Sequence, residues 1–446
     1  MKKRVLSIFL AATMAAGVLA GCGSTGAKKQ KTEKTAKTET KKDNGKGYED
    51  CTLKMDWWGG DSRHEATQNA VKGFMQKYPG INVEVNFGAW SDWETAKAAE
   101  YTSGTNPDVQ QTNFDWIGKY DASGDTYLDL NKVKDALDLT QWSKSDLDMT
   151  KDVKGGIAGI PVAMTGRLFY WNKATWDKAG LQLPKSLDDL KAAGPVFKEK
   201  LGDNYYPLVV GEYDRAILMT YYLQNETGKP IISKDSKLNY TEKDFQKGIK
   251  FIQDLEDQHV IPSEKYIQGE GADSMDKSAR FINGEYAGIF EWDTAAAKYV
   301  AALGDAASNF VVGGELSGLK PYSKVSLMFS ISAKTKHPHE AALLLNYLLN
   351  DEEGVKAMGT QRGIPESKAA YKTLEAAGTL DKMSVDAHKA VTDSKPLSWN
   401  PLFDDSTLKG DAGTAYTDVF DQLSYKQIDT DKAATNLFNA YKAICK

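Results

Sequence analysis

The segment 52–87, TLKMDWWGGDSRHEATQNAVKGFMQKYPGINVEVNF, contains the pattern that decides the fold. Apolar residues alternate along Thr52–Trp57, which is typical of a strand with one buried face. They then recur every four positions along Ser62–Tyr78, which predicts a helix that ends at Pro79-Gly80. Alternation returns at Ile81–Phe87, so the segment is predicted to form a βαβ unit.

The same succession of strands and helices continues toward the middle of the chain. Trp93–Ser103 is predicted to be helical, Asp108–Thr112 to be a short strand, and a further helix begins near Asp115. This order predicts a mostly parallel sheet with helices on its faces. Ligands of such sheets bind beyond the carboxyl ends of the strands. The residues that this rule places on one rim are Trp57, Trp58, Asp61, Asn113 and Asp115.

A second α/β unit is predicted after Gly159-Ile160-Pro161, where the pattern breaks. It contains a strand at Leu168–Trp171 and helices at Lys173–Ala179 and Leu187–Leu201. The elements predicted further along the chain are a helix at Ala279–Glu285, a strand at Tyr286–Glu291, a helix at Thr294–Leu303, a strand at Ser326–Ser332 and a helix at Pro338–Leu349. The remainder, to Cys445, is predicted to be mainly helical.

The first residues have the features of an export and anchoring segment. Three positive residues open the chain, and the apolar run Val5–Leu19 is too short to span a bilayer comfortably. Leu19-Ala20-Gly21-Cys22 follows, so residues 1–21 are predicted to be a lipoprotein signal peptide and the Cys22 thiol to carry a lipid. The alternatives are an ordinary secretory signal with a chance cysteine, or an uncleaved anchor.

Residues 22–47 are predicted to be a flexible tether. They hold eight lysines, three acidic residues and no aromatic residue, so they cannot bury enough apolar surface to fold. The whole chain has a formal net charge of −5. Removing the three positive charges of the signal and the net five of the tether leaves −13 for the folded body. A body this acidic argues against nucleic acid as the ligand.

Cysteine and histidine give no metal signature. Cys51 and Cys445 could pair in an extracellular compartment or be two unrelated thiols. The five histidines show no ligand spacing, and His337-Pro338-His339 is expected on the surface of a helix. No metal or other cofactor is therefore predicted.

Four separated stretches together resemble the carbohydrate-binding proteins of ABC importers, the maltose-binding-protein-like family 1 of solute-binding lipoproteins. They lie at Gly73–Val83 (GF…YPGINV), Ser103–Val109 (SGTNPDV), Gly159–Leu190 (GIPV…FYWNK…KAGL…PKSLDDL) and Phe281–Ala287 (FINGEYA). Their order and spacing are specific, and the resemblance spans nearly all of the chain after the tether. The opening Trp57–His64 (WWGGDSRH) is similar to a branch whose members take plant-wall or pectin-derived oligosaccharides.

The resemblance implies an α/β fold of two lobes, the class II periplasmic-binding-protein arrangement, with a hinge and a central ligand cleft. The N-terminal and C-terminal lobes are predicted to consist, respectively, of residues 48–160 with 290–330 and of residues 161–289 with 331–446. The three crossings between the lobes are predicted near residues 159–163, 289–291 and 329–332. It further implies a lipid-anchored monomer on the extracellular face of the bacterial cytoplasmic membrane, which captures an oligosaccharide and delivers it to an ABC-transporter permease.

Sugars present apolar faces and hydroxyl edges, so their sites combine flat aromatic rings with planar hydrogen-bonding groups. The chain has 10 Trp and 21 Tyr, more than core packing usually demands. The predicted substrate-binding residues are Trp57, Trp58, Asp61, Arg63, Asn113, Asp115, Trp116, Arg167, Glu291, Trp292 and Trp399.

These residues also have structural interpretations. Any of the tryptophans could be part of a core. Asp61 could cap a helix with Arg63 on its surface, and one of Asn113 and Asp115 could cap the next helix. Arg167 could grip hydroxyls or a uronate carboxylate, or could pair with an acid across the cleft.

Two other classes of function are considered. A glycosidase needs two carboxylates about 5–10 Å apart, and Glu291 with Asp293, or Asp404 with Asp405, could be imagined in that role. Residues this close in sequence seldom face each other in that way, and no nucleophile motif accompanies them. The chain is therefore predicted not to be an enzyme. A surface polysaccharide-binding adhesin would share the tether and aromatic residues but would not need a hinged cleft.

Overall fold

The computed structural model describes residues 47–90, 93–272, 274–394, 396–410 and 412–446. The strands, β1 to β8, are Cys51–Trp58, Ile81–Gly88, Val109–Thr112, Ile160–Asn172, Gly288–Trp292, Phe310–Gly314, Tyr322–Ile331 and Leu397–Ser398. The α-helices, α1 to α17, are Asp61–Lys77, Trp93–Ser103, Trp116–Tyr120, Lys144–Met149, Lys173–Ala179, Leu187–Leu201, Glu212–Thr227, Glu242–Asp257, Glu264–Gln268, Ala279–Ile282, Ala296–Leu303, Pro338–Asn350, Glu352–Met358, Lys368–Ala376, Lys382–Asp393, Ala415–Ser424 and Thr430–Ile444. Cys22, the signal peptide and nearly all of the tether lie outside the described residues.

The predicted βαβ unit is confirmed. Strand β1 pairs in parallel with β2 over its whole length, from Cys51 opposite Ile81 to Trp58 opposite Gly88. Helix α1 connects them and buries an apolar stripe that includes Phe74. The turn into β2 passes through Gly80 at φ +113°, a conformation that favours glycine. Strand β3 pairs in parallel with the other side of β1, so the carboxyl ends of all three strands share one edge.

The sheet as a whole is not mostly parallel, which corrects the prediction. Its order is β2-β1-β3-β7-β4-β5, with β6 also beside β4 and β8 beside β7. The pairings of β7 with β3 and of β4 with β5, β6 and β7 are all antiparallel. The reason is that β4 and β7 are long strands that run in opposite directions through the middle of the sheet.

Strand β4 begins at Ile160, where the sequence predicted a break. Pro161 lies inside this strand, and the register against β7 shifts between Pro161 and Ala163. A bulge of this kind accommodates a proline that cannot donate a ladder hydrogen bond. The strand therefore continues through to Asn172, and it is buried along almost its whole length.

Separate hydrophobic cores lie at the two ends of β4 and β7. Ile160 and Phe329 belong to an N-terminal core together with β1 and α1. Trp171 and Tyr322 belong to a larger C-terminal core with α6, α7, α8 and α17. The two strands thus run from one core to the other, with the predicted crossing segments 159–163 and 329–332 at their N-terminal-core ends.

The packing contradicts the predicted division of the lobes in two segments. Residues 290–319 were expected with the N-terminal core, but β5, α11 and β6 pack around the second half of β4. Helix α12 was expected in the C-terminal lobe, but its buried face packs in the N-terminal core. Strand β5 pairs with β4 at Arg167–Trp171 and is bridged to Val209 through Ile289, so residues 289–291 stay beside the second half of β4 and do not cross. The chain passes between the cores again after α14, which packs on α12 and α13, and before α15, which packs on β4 and β6.

Cys51 and Cys445 are both free thiols. Cys51 packs against the N-terminal core and Cys445 against the C-terminal core. Of the two sequence alternatives, the structure shows the two unrelated thiols.

Candidate functional site

Polar and aromatic side chains converge at the middle of β4, between the two cores. Thr165 lies opposite Lys324 of β7, and Arg167 lies opposite Trp292 of β5. The carboxyl ends of β1 and β3 lie on the same side of the sheet as this midpoint. Strand β3 ends at Thr112, which pairs with Met328 of β7, and the chain after Thr112 continues in the direction of Lys324. The site is therefore built from strand ends and strand midpoints rather than from one continuous motif.

Three indole rings form a cluster at the rim, the tryptophan cluster: Trp58, Trp90 and Trp116. The ring centroids of Trp58 lie 5.1 Å from Trp90 and 5.5 Å from Trp116, and Trp90 stacks on Trp116 at 6.2 Å. Trp116 is fully buried and Trp58 is half-buried, whereas Trp90 is 45% exposed. Two accessible indoles thus rest on a fixed buried one, which is the arrangement a flat apolar ligand face requires.

Trp90 was not among the predicted residues, although a signal for it exists. It follows Gly88, the last residue of β2, so it lies beyond the carboxyl end of a strand just as Trp58 and Asn113 do. The rule about strand ends would have found it if it had been applied to β2.

Trp57 belongs to the core. Its side chain is completely buried, its Nε1–H donates to His64 Nδ1 at 3.1 Å, and its ring stacks on Phe87 at 5.1 Å. Successive side chains of a strand point to opposite faces. Trp57 therefore faces the interior and Trp58 the site, although the two are adjacent in sequence.

A second group of side chains, the charged cluster, consists of Tyr213, Lys324, Asp404 and Lys409. Asp404 accepts hydrogen bonds from the Tyr213 hydroxyl and the Lys324 ammonium, and Lys409 Nζ lies 3.2 Å from Asp404 Oδ1. Burial alone would raise the pKa of Asp404, but the two lysines hold it well below its usual range. The cluster thus keeps a fixed carboxylate between two ammonium groups, and Lys409 remains partly exposed.

Asp115 links the rim to the charged cluster. Burial, together with the negative charges of Asp404 and Glu94 and against the opposing charge of Lys324, raises the pKa of Asp115 to about 6. Its Oδ1 is buried and has no hydrogen-bond partner among the described residues. A side chain from the start of α3 is therefore within electrostatic reach of groups on β7 and on the loop at Asp404.

Arg167 forms ion pairs with two acidic residues, Asp214 and Glu291. The sequence left open whether this arginine would grip the ligand or pair with an acid. Its Nη2 lies 2.7 Å from Asp214 Oδ1, and its Nη1 lies 3.1 Å from Glu291 Oε1 and donates to the Phe290 carbonyl at 2.7 Å. The guanidinium centre lies 4.6 Å from the ring of Trp292. Arg167 and Glu291 consequently fix the half-buried Trp292 in place.

Two further arginines lie behind the tryptophan cluster. Arg63 donates from Nε to the Gln361 carbonyl at 3.0 Å and from Nη1 to the Trp58 carbonyl at 3.2 Å. Arg362 is 5% exposed and donates from Nε to Gln111 Oε1 at 2.8 Å. Burial lowers the pKa of both guanidinium groups, and Arg63 lowers that of Arg362 further. Neither forms an ion pair with any residue the structure describes, so this end of the site has uncompensated positive charge.

The other predicted residues, Asp61, Asn113 and Trp399, belong to neither the tryptophan cluster nor the charged cluster. Asp61 is exposed in the first turn of α1, where Gly60 occupies the N-cap position, so Asp61 is not the cap. Asn113 Oδ1 accepts from the Phe114 N–H at 3.0 Å. Trp399 is buried, and its ring lies 4.2 Å from that of Phe403, so it supports the site from below rather than lining it.

The carboxylates considered for catalysis are occupied by protein groups. Asp293 is buried and accepts from the Thr165 hydroxyl at 2.7 Å and from the Gly166 N–H at 3.1 Å. Asp405 Oδ1 accepts from the N–H and hydroxyl of Thr407. Glu291 and Asp404 are engaged as described above.

An α/β fold with two cores, long strands between them, and aromatic and charged side chains at their midpoint defines a two-lobed binding protein. The chain matches the bacterial extracellular solute-binding proteins over residues 60–355 and belongs to that family. The family and the fold class predicted from the sequence are thereby confirmed. No described helix has the length and apolar character needed to cross a bilayer.

Several solved structures are similar to this chain. A periplasmic oligogalacturonide-binding protein from Yersinia enterocolitica, in complex with saturated digalacturonic acid, is 35% identical with a TM-score of 0.77, covering 88% of this chain and 98% of that one. A de novo designed cysteine esterase is 33% identical with a TM-score of 0.81, covering 89% and 98%.

Curated relatives match over a shorter stretch. The melibiose/raffinose/stachyose-binding protein of Bacillus subtilis is 25% identical over 179 residues, which are 40% of each chain. The chain thus spans about two fifths of the length of the curated relatives it matches.

Proposed function

We propose that this protein is the substrate-binding component of an ABC importer and that its ligand is an acidic, pectin-derived oligosaccharide. The observation that carries the proposal is the position of two accessible indoles, Trp58 and Trp90, beside the charged cluster at the midpoint of β4. Pyranose rings need aromatic faces for their C–H surfaces and ionic or amide groups for their hydroxyls. Both kinds of group are here, and they come from elements that pack on different cores.

The acidic character of the ligand is supported by local charge. Arg63 and Arg362 have no carboxylate partner among the described residues, and the ammonium group of Lys409, which pairs with Asp404, is on a side chain that is 40% exposed. A uronate carboxylate would supply the missing negative charge through charge-assisted hydrogen bonds. The similar protein from Yersinia enterocolitica holds digalacturonic acid. The net −13 of the body acts over long range and is screened by salt, whereas these cations act at contact distance.

In this proposal the residues divide into four roles. Trp58 and Trp90 stack on the sugar, and Lys324 and Lys409 bind carboxylate or hydroxyl oxygens. Asp115 accepts from hydroxyls. Arg167 and Glu291 position Trp292 as an opposing wall. The two cores close over the sugar by bending at β4 and β7, and the closed form is the one that docks on the permease.

The anchor completes the proposal. A lipid on Cys22 and the tether of residues 22–47 would keep the protein beside its permease at a high effective concentration. A Cys22→Ala change should release the protein into the medium of cells that otherwise retain it. Retention of this variant in the membrane fraction would contradict lipid anchoring and leave sugar binding unaffected.

Titration calorimetry with purified protein tests the ligand. We expect di- and trigalacturonate to bind, galactobiose of the same linkage to bind at least tenfold more weakly, and no shorter products to appear. Lys409→Met should weaken galacturonate binding about tenfold, whereas Lys382→Met, a surface change, should not. Equal affinity for the neutral and acidic sugars would refute the acidic ligand, and steady release of shorter sugars would refute a binding protein.

Small-angle scattering separates import from adhesion. A closing two-lobed site should become more compact when trigalacturonate saturates it. An adhesin should bind polymeric pectate with no change of envelope and show weak affinity for the trimer. An unchanged envelope at saturation would therefore favour the adhesin.

A further inference from the structure

Three side chains with metal-binding chemistry meet at the opposite end of β1 from the sugar site. Cys51 is the first residue of β1, His337 immediately precedes α12, and Glu340 lies in the first turn of α12. One ligand atom from each of the three lies within 4.8 Å of the other two. Trp58 is seven residues further along β1, a distance of about 23 Å at the rise of an extended strand. The group is therefore separate from the sugar site.

The polar atoms of this group are incompletely satisfied. Glu340 is 4% exposed, its Oε1 accepts from the Glu49 N–H at 2.8 Å, and it forms no ion pair with a described residue. His337 Nδ1 is buried and has no hydrogen-bond partner within the described ranges. A buried polar group without a partner is unfavourable, and such groups in a native protein call for an explanation such as a bound ion.

The surroundings are negative. Besides the Glu340 carboxylate, the carboxylate of Asp108 lies within electrostatic reach of the Cys51 thiol. Negative charge near the three donor atoms thus attracts a cation to them. A divalent cation at this point would compensate the carboxylates and favour the thiolate at the same time.

We propose that Cys51, His337 and Glu340 bind a thiophilic divalent cation of the Zn²⁺ type. Thiolate, imidazole and carboxylate are a donor set that Zn²⁺ accepts, whereas Mg²⁺ and Ca²⁺ select oxygen donors. Zinc–ligand distances of about 2.0–2.3 Å in a tetrahedron place donor atoms about 3.3–3.6 Å apart. The ligand atoms lie within 4.8 Å of one another, so side-chain rotations that move them by about 1 Å complete the site. Binding breaks the S–H bond of Cys51, releases the proton to solvent and forms the sulfur–metal bond, and a water takes the fourth position.

The site would join two elements that are distant in sequence. Cys51 lies at the point where the folded body begins after the tether, and its N–H donates to the Gly80 carbonyl at 3.0 Å. A metal bridging it to the start of α12 would hold the first residues of β1 against the N-terminal core. The predicted consequence is greater thermal stability with metal and no change in sugar affinity.

The test is metal binding by the full chain, purified without a histidine tag. With Co²⁺ as the probe we expect one equivalent to bind and to give the near-ultraviolet charge-transfer absorption of a cobalt–thiolate bond. Cys51→Ser should abolish that band, and His337→Ala should lower Zn²⁺ affinity at least tenfold in competition with a chromophoric chelator. Cys445→Ser is the matched control, because among the described residues it removes the one further free thiol, which packs in a different core.

If a variant folds poorly, the effect of Zn²⁺ on the thermal unfolding midpoint provides a second test. Zn²⁺ should raise the unfolding midpoint of the unaltered chain and of Cys445→Ser, but not that of Cys51→Ser. Glu340→Gln retains an acceptor for the Glu49 N–H and should also lose Zn²⁺ affinity at least tenfold. Absence of the cobalt–thiolate band in the unaltered chain, or its equal loss in both cysteine variants, would overturn the proposal.

Discussion

Trp57 and Trp58 are adjacent in sequence, yet their replacement by alanine should have opposite consequences. Trp57 is completely buried between α1 and β2 and donates a hydrogen bond to His64. Removing a fully buried aromatic ring costs about 3–5 kcal/mol, and the unpaired His64 nitrogen adds about 1 kcal/mol. We therefore expect Trp57→Ala to lower the free energy of unfolding by about 4–6 kcal/mol.

Trp58→Ala removes a half-buried ring whose inner neighbour, Trp116, stays in place. Its stability cost should be about 1–2 kcal/mol. If Trp58 stacks on the sugar, affinity for digalacturonate should fall at least tenfold, equivalent to about 1.4 kcal/mol.

Urea unfolding followed by far-ultraviolet circular dichroism, with an unchanged m value, gives the stability of each variant. Calorimetry gives the affinity, measured where at least nine tenths of the protein is folded. The assignment of the two faces of β1 would be refuted if Trp58→Ala were the more destabilising change. It would also be refuted if folded Trp57→Ala lost sugar binding while Trp58→Ala kept it.

Further changes test the rest of the structure. Burial, opposed by His388, raises the pKa of Glu366 to about 7, so the folded chain holds a proton that the unfolded chain releases near pH 4.5. The free energy of unfolding should thus lose about 3 kcal/mol from this group as pH rises from about 4.5 to 7. Urea unfolding of Glu366→Gln across the same range should lack this part of the decrease. Arg167→Met leaves two mostly buried carboxylates, Asp214 and Glu291, without their cation and should cost about 3–5 kcal/mol by urea unfolding, whereas the exposed Lys382→Met should cost less than about 0.5 kcal/mol. Gly194→Ala should lower the thermal midpoint despite better helix propensity, because its Cβ would overlap a backbone carbonyl of the segment packed against α6.

Local structure followed closely from the sequence where capping signals were strong. Helices α5 and α6 have the predicted bounds, Lys173–Ala179 and Leu187–Leu201. Asn172 caps α5, and Ser186 forms a reciprocal capping box with Asp189 at the start of α6. Such signals act within a few residues, so the chain itself contains all the information they need.

Long-range features could not be predicted in the same way. Pro161 led to the incorrect prediction of a break at the start of β4. The bulge that accommodates this proline depends on the register of β7, more than 150 residues away, so it could not be predicted from the neighbouring sequence. The direction of β7 relative to β3, and the packing of α12 in the N-terminal core, likewise depend on which faces are buried together.

The α/β class, the βαβ unit at the start of the folded body, the family resemblance, and most of the strand ends that build the site could all be predicted from the amino-acid sequence. Period, capping and turn chemistry are local, so they can be read along the chain. Three features required the folded structure: which tryptophan of the pair Trp57-Trp58 faces the site, the pairing of Arg167 with acids, and the sharing of one carboxylate by Lys324 and Lys409. The folded structure alone brought Cys51 beside His337 and Glu340, because residues nearly 300 positions apart become neighbours only when β1 and α12 bury their apolar faces in one core.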